Sequence, residues 1–119
     1  MAEDNEINAE ILCEILRMYG AESEVKENGA LTVQAFFAAE PGTYDAILMD
    51  IQMPEMDGYE ATRRIRRLEN QEIASKPIIA MTANAFEEDV QEALKAGMND
   101  HMAKPIRIET LYALMRKYL

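Results

Sequence analysis

Cysteine and positive charge are both scarce in this chain. Cys13 is the only thiol among 119 residues, so no internal disulfide can form and no cysteine zinc cluster can be built. A lone thiol within a helical apolar pattern reads as core filling. Lys and Arg number 12 against 22 Asp and Glu, for a net charge of -10. No basic face is therefore available to release counterions from nucleic acid, and an anionic membrane surface is equally unsuited to such a chain. Long apolar runs are missing too, so no segment can span a bilayer. The acidic N-terminus does not have the form of a secretory leader. These exclusions predict a cytoplasmic protein without nucleic-acid binding or membrane insertion. Internal repeats and low-complexity tracts are also absent. What is present is 49% hydrophobic and 29% charged, the balance of an ordinary globular protein, at a length that fits one domain over residues 1–119. The nine methionines read mostly as core filling.

The order of elements follows from periodicity. Ile7, Ile11, Ile15 and Met18 recur at helical spacing in "EINAEILCEILRMY", with Gly20 as the stop. "ESEVKENG" places Val25 in a short strand-like stretch that ends in the turn signal Asn28-Gly29. "ALTVQAFFAAE" is a second helix, closed by Pro41-Gly42. "YDAILMD" is an apolar run ending in a carboxylate, suited to a strand covered on both faces. "GYEATRRIRRLE" is a third helix with a basic outer face, and "NQEIASK" reads as an irregular surface loop. "KPIIAMTAN" is another buried strand, and "AFEEDVQEALKAG" a fourth helix stopped by Gly97. "DHMAKP" is a short last strand before the helix "RIETLYALMRKYL", whose inner side carries Ile108, Leu111, Tyr112, Met115 and Tyr118. A helix followed by four strand–helix repeats predicts an α/β fold: a doubly wound parallel sheet with helices on both faces.

In such sheets ligands bind beyond the carboxyl ends of the strands. Asp50 and Thr82 each end a strand, Lys104 ends the last one before Pro105, and Glu3 and Asp4 would end a strand preceding the first helix. Three carboxylates, a hydroxyl and an ammonium thus share one crevice. Crowded carboxylates stay ionised at neutral pH only beside a cation. Mg²⁺ meets that need, since it takes one or two carboxylates and completes its shell with waters and phosphate oxygens. A carboxylate held there can attack phosphorus and become an aspartyl phosphate, for which Lys104 and Thr82 offer contacts to the phosphoryl oxygens. Beside the acceptor, Pro54 and Gly58 shape the loop "IQMPEMDG", with Gly58 read as supplying a turn closed to other residues.

Four segments, "AEDNEIN", "YDAILMDIQMPEMDGYEATRRIR", "PIIAMTANAF" and "GMNDHMAKPI", resemble the receiver domains of two-component signalling, above all those attached to hybrid histidine kinases. The resemblance runs along the whole chain. It implies a flavodoxin-like receiver fold and a phosphorelay role, in which Asp50 accepts a phosphoryl group from a phosphohistidine donor and a protein-interaction surface on the fourth helix and last strand switches. Glu3, Asp4, Asp50 and the backbone carbonyl of Gln52 would hold Mg²⁺. Thr82 would be the switch hydroxyl, Lys104 the phosphate contact, His101 the second switch residue, and the bond before Pro105 would be cis. The implied partners are a histidine kinase or a histidine phosphotransfer protein. The domain would be no enzyme acting on a separate substrate, but would catalyse its own phosphorylation and dephosphorylation.

One departure stands out. Only Met1 and Ala2 precede the acidic pair, where receivers carry an interior apolar strand. The chain is thus expected to be an N-terminally truncated receiver without its first strand. Buried backbone groups left unpaired cost about 1–3 kcal/mol each, so the slot is expected to be filled, as by a homodimer formed through strand exchange or edge pairing. The alternative function is a non-phosphorylated interaction domain of receiver ancestry, disabled by the missing strand. A haloacid-dehalogenase-type phosphatase would need an acid two residues after the nucleophile, where this chain has Gln52.

Overall fold

The computed structural model describes residues 1–2, 6–18, 20–40, 43–53, 56–82, 87–104 and 106–118, and of 6–8 and 87–89 the backbone only. Among these residues the elements are α1 (Glu6–Met18), α2 (Gly29–Ala38), β1 (Ile47–Asp50), α3 (Gly58–Arg66), α4 (Gln71–Ala74), β2 (Ile78–Thr82), α5 (Glu87–Ala96), β3 (Asp100–Ala103) and α6 (Ile108–Tyr118). The three strands are parallel in the order β1-β2-β3. Their near-continuous apolar runs are buried because helices cover both faces. Alternate strand residues serve two cores. Ile47, Met49, Ile78 and Ala80 pack with residues of α2, α3 and α5, whereas Leu48, Ile79 and Met81 pack with Leu12, Leu16 and Leu111 of α1 and α6.

Ala2 stands at the interior position of the sheet. Ala2 bridges in parallel to both Lys26 and Met49. Its amide donates to the Leu48 carbonyl at 2.8 Å, and its carbonyl accepts the Asp50 amide at 2.9 Å. On the other flank, the Lys26 amide donates to the Met1 carbonyl at 2.8 Å. The pairing order reverses at Ala2, which is where a doubly wound sheet opens its crevice. The strand expected around Val25 is only this bridge at Lys26, because a strand extends no further than its partner. Ahead of Met1 the slot is a groove of about 1040 Å³.

Other expectations shift by small steps. The buried line of α1 is Ala9, Leu12 and Leu16, while Ile11 is 54% and Met18 76% exposed. Apolar residues wrap so far around this helix that periodicity fits two registers, and the sheet selects one. On α6, Leu111 is buried and Met115 and Tyr118 pack at its margin, but Ile108 and Tyr112 are exposed. Cys13 is half-buried and accepts a hydrogen bond from the Ser23 hydroxyl at 3.0 Å. Asn28-Gly29 starts α2 instead of closing a strand, for the Asn28 side chain caps the Leu31 amide at 2.9 Å. The loop "NQEIASK" contains α4, capped by Asn70. Arg66 does not belong to a basic outer face. Its guanidinium donates to the carbonyls of Gly97 (2.9 Å), Ala74 (2.6 Å) and Lys76 (2.7 Å) and to Asn99 Oδ1 (2.7 Å). Two connections on the side of the sheet remote from Asp50, α4 to β2 and α5 to β3, are tied by that one side chain.

Gly20 and Gly97 end α1 and α5 with φ of 84° and 108°, the left-handed stop expected of glycine. Gly58 is needed for a different reason than a turn. It is the first residue of α3, and a Cβ there would collide with the Asp50 carbonyl oxygen and lie 2.9 Å from Ile51 Cα. Its amide donates to the Ile51 carbonyl at 2.8 Å. The glycine lets α3 press directly on the backbone that carries Asp50. Gly58→Ala is expected to cost about 2 kcal/mol by overpacking and to shift the Asp50 and Ile51 amide resonances. Gly20→Ala, with open space around it, should cost about 1 kcal/mol from backbone strain alone and leave those resonances unmoved. Chemical denaturation and amide spectra of both variants check this.

Met1 also buries its α-amine. The Met1 α-amine donates to the Glu24 carbonyl at 2.8 Å, and burial lowers its pKa from 8.0 to about 6. Between those values the unfolded chain binds a proton that the folded chain does not, so stability rises with pH. The full contribution is present above pH 8.0 and is lost as pH falls to about 6. Thermal unfolding of the 119-residue chain across this window should show that slope, and N-terminal acetylation should flatten it.

Candidate functional site

The site lies at the carboxyl ends of the strands and starts from Asp50, the last residue of β1. Its backbone is held from three directions. Its amide binds Ala2, and the next amide, of Ile51, donates to Met81 of β2 at 3.2 Å. Gly58 of α3 presses on its carbonyl. Asp50 is only 4% exposed, and a buried carboxylate needs partners for its oxygens. Oδ1 accepts the Gln52 amide at 3.2 Å, and Oδ2 accepts the Lys104 ammonium at 2.8 Å.

Lys104 arrives through strand pairing. β2 and β3 run in register with Thr82 opposite Ala103, and the Lys104 amide donates to the Thr82 carbonyl at 2.7 Å. The same register therefore fixes the buried Thr82 and the Lys104 ammonium beside Asp50. Lys104 keeps a quarter of its side chain exposed, against a twentieth for Asp50, so the pair opens to solvent from the lysine side.

The structure thus gathers Asp50, Gln52, Thr82 and Lys104 at one edge. Glu3, Asp4, Pro54 and Pro105 lie outside the described residues. His101 is half-buried on β3, in register with Ala80, and its Nδ1 is 3.8 Å from Asp100 Oδ1. Desolvation opposes ionisation of Asp100, but hydrogen bonds from the His101 amide, Tyr118 and Lys117 outweigh it and hold that carboxyl below its usual range. Two contributors were not read from the sequence. One is the Gln52 amide, for which only the carbonyl had been considered. The other is the close packing of Gly58. The spacing of Asp50 and Gln52 carries the first signal, because an amide two residues on can fold back onto a carboxylate.

Asp50 offers one carboxylate toward a hard divalent cation. The carboxylate of Asp50 is fixed and poorly hydrated, while Gln52 is exposed two residues later. Among the described residues no group of three or more His, Cys, Asp and Glu side chains could hold a metal ion by itself, so a site here requires further acids. Ala2, the residue before Glu3, is hydrogen-bonded to Asp50. No helix among the described residues is long and apolar enough to cross a membrane.

Comparison with known proteins agrees with this geometry. The family described as the response regulator receiver domain matches residues 1–116. The hybrid signal transduction histidine kinase B of Dictyostelium discoideum is 40% identical over 100% of this chain, which spans 6% of that protein. A probable histidine kinase 2 of Oryza sativa subsp. japonica is 43% identical over 89% of this chain, or 11% of that protein. The chain therefore corresponds to a small part of the length of these relatives. Among solved structures, it resembles the receiver domain of a sensor histidine kinase from Pseudomonas aeruginosa PAO1, which carries a magnesium ion in its active-site cleft. The TM-score is 0.86 and the identity 39%, covering 98% of this chain and 92% of that one. It also resembles a chain in the co-crystal of a Saccharomyces cerevisiae histidine phosphotransfer protein with the receiver domain of its downstream response regulator, at TM-score 0.82 and 34% identity, covering 98% of this chain and 82% of that one. On its site geometry, its doubly wound topology and a family match across nearly its whole length, the chain belongs to the receiver domains of two-component signalling.

Proposed function

We propose that this receiver takes a phosphoryl group onto Asp50 from a phosphohistidine of a histidine kinase or histidine phosphotransfer protein. The observation that carries the reading is the buried Asp50 carboxylate held at 2.8 Å from the Lys104 ammonium. An Asp50 carboxylate oxygen forms the new bond to phosphorus as the bond from phosphorus to the donor imidazole nitrogen breaks, and the imidazole leaves with a proton. The Lys104 ammonium then moves its hydrogen bond from the carboxylate to a phosphoryl oxygen. Such charge-assisted contacts are worth about 1.5–3 kcal/mol. Thr82, fixed opposite Ala103, offers its hydroxyl to another oxygen. Mg²⁺ would be held by Glu3, Asp4, Asp50 and the Gln52 carbonyl. When bound, it neutralises charge on the phosphoryl oxygens.

The domain acts on itself, as acceptor and as catalyst of its own phosphorylation and dephosphorylation, and turns over no separate substrate. Output passes through protein contacts on α5 and β3, where His101 lies, as Thr82 follows the phosphoryl group. A magnesium-bearing receiver and a phosphotransfer complex among the similar structures support the cofactor and the partner class. The assembled Asp50–Lys104 pair weighs against a domain that has lost its phospho-acceptor role.

Acetyl phosphate with Mg²⁺ should add one phosphoryl group by intact mass, absent in Asp50→Asn. A modification that persists in that variant would remove Asp50 from the role. Lys104→Ala should still fold, with the Gln52 amide left on Asp50, but should lose most of the amide shifts that beryllofluoride induces in the parent chain. Retention of those shifts in a less stable variant would make Lys104 structural. Chelation of Mg²⁺ should abolish labelling in the parent chain.

A further inference from the structure

We infer that Asn99 and Arg66 are positioning residues for phosphoryl transfer: from the far end of the sheet they lock the register of β3 on β2 and so hold the Lys104 ammonium on Asp50. The inference rests on the reading of Asp50 and Lys104 as the phosphoryl site. β3 has little of its own to set its register. It is four residues long, and Met102 is the buried one among them. A single apolar anchor specifies a register weakly. A slip of one residue would turn Met102 out of its core and carry Lys104 to the other face, away from the Asp50 oxygen that it now meets at 2.8 Å.

The lock stands at the opposite end of the same ladder. Asn99 immediately precedes β3 and pairs in both directions with Ile78, the first residue of β2. Its amide donates to the Ile78 carbonyl at 2.8 Å, and its side-chain Oδ1 accepts the Ile78 amide at 2.9 Å. A side-chain oxygen thus takes the place of a strand carbonyl. Arg66 fixes that oxygen from outside the sheet, donating to it at 2.7 Å while its other N–H groups hold the carbonyls of Ala74, Lys76 and Gly97. Ala74 and Lys76 lead into β2 and Gly97 leads into β3, so the planar guanidinium ties the lock to the entry of both strands. In a slipped register Asn99 Oδ1 would leave both of its donors unpaired. Between the lock and the site, Ile79, Ala80, Met81 and Thr82 pair in sequence with Asp100, His101, Met102 and Ala103. The Lys104 amide closes the ladder on the Thr82 carbonyl at 2.7 Å, so a displacement at Asn99 is passed on to Lys104.

The test follows the Lys104 Nζ resonance by NMR of the 119-residue chain with isotope-labelled lysine, and titrates each variant with beryllofluoride in the presence of Mg²⁺. Asn99→Ala removes the acceptor, whereas Asn99→Asp keeps an oxygen for both donors. Asn99→Ala should move the Nζ resonance toward that of a solvated lysine and weaken beryllofluoride binding about tenfold, the scale of one charge-assisted contact. Asn99→Asp should restore both. Tyr118→Phe removes a hydroxyl from the Asn99 carbonyl and from Asp100 but touches no donor to Oδ1, and should leave both unchanged. In a Lys104→Ala background, Asn99→Ala should weaken binding no further. Where Asn99→Ala is too unstable to study, Asn99→Gln, which displaces the same oxygen by one methylene, should show the same two losses. Four results would overturn the inference: an unmoved Nζ resonance in the Asn99 variants, no rescue by Asn99→Asp, an equal movement in Tyr118→Phe, or an equal weakening by Asn99→Ala with Lys104 absent. A parent chain that ignores beryllofluoride would instead remove the phosphoryl reading of Asp50, while the Nζ resonance would still decide the register lock.

Discussion

The two hydrogen bonds between Ala2 and β1 are the contact on which the remaining architecture depends. They join the Lys26 flank to the sheet through a single residue and so set the reversal of pairing order that opens the crevice. They also fix the amide of Asp50, and hence the direction of its carboxylate. Without that bridge, β1 would be an edge strand with buried apolar residues on both faces, an arrangement that recruits other chains.

Around this contact, three backbone constraints bring one ionic pair together. Gly58 permits α3 to lie against the Asp50 carbonyl, the β2–β3 register delivers Lys104, and the Gln52 amide folds back onto the carboxylate. A buried carboxylate with one neutral and one cationic donor is stabilised where it stands, yet its cationic partner is on a flexible stem with access to solvent. A lysine ammonium can exchange one oxyanion for another with little change in its own position. The site is therefore rigid in backbone and adjustable in one side chain, as the proposed phosphoryl transfer requires. Arg66 supplies a similar rigidity at the other end of the sheet, where it satisfies three carbonyls and Asn99 at once.

Much of this was legible in the residues. "YDAILMD" and "KPIIAMTAN" read as strands buried on both faces because their apolar runs are short, β-branched or bulky, and bounded by turn signals. Asp50 in the first and Thr82 in the second stand at the carboxyl ends of β1 and β2. The short helix α4 was hidden because four residues carry no helical period, and only Asn70 as a cap signals it. The register of α1 was ambiguous because Ile11, Leu12, Ile15 and Leu16 satisfy two faces equally. Gly58 signals a constrained backbone but not the reason for it, since close approach and unusual backbone angles both call for glycine and the sequence does not separate them.

The amino-acid sequence by itself determined the alternation of strands and helices, the parallel sheet, and the acid, hydroxyl and ammonium placed at strand ends. These follow from local periodicity and from the rule that strand ends face one crevice. Only the tertiary structure decided that Ala2 bridges the Lys26 flank to β1, that Lys104 contacts the Asp50 carboxylate directly, and that Arg66 ties the far end of the sheet. Each is a long-range pairing. Its free energy depends on which backbone groups meet across the sheet, and no window of sequence contains both partners.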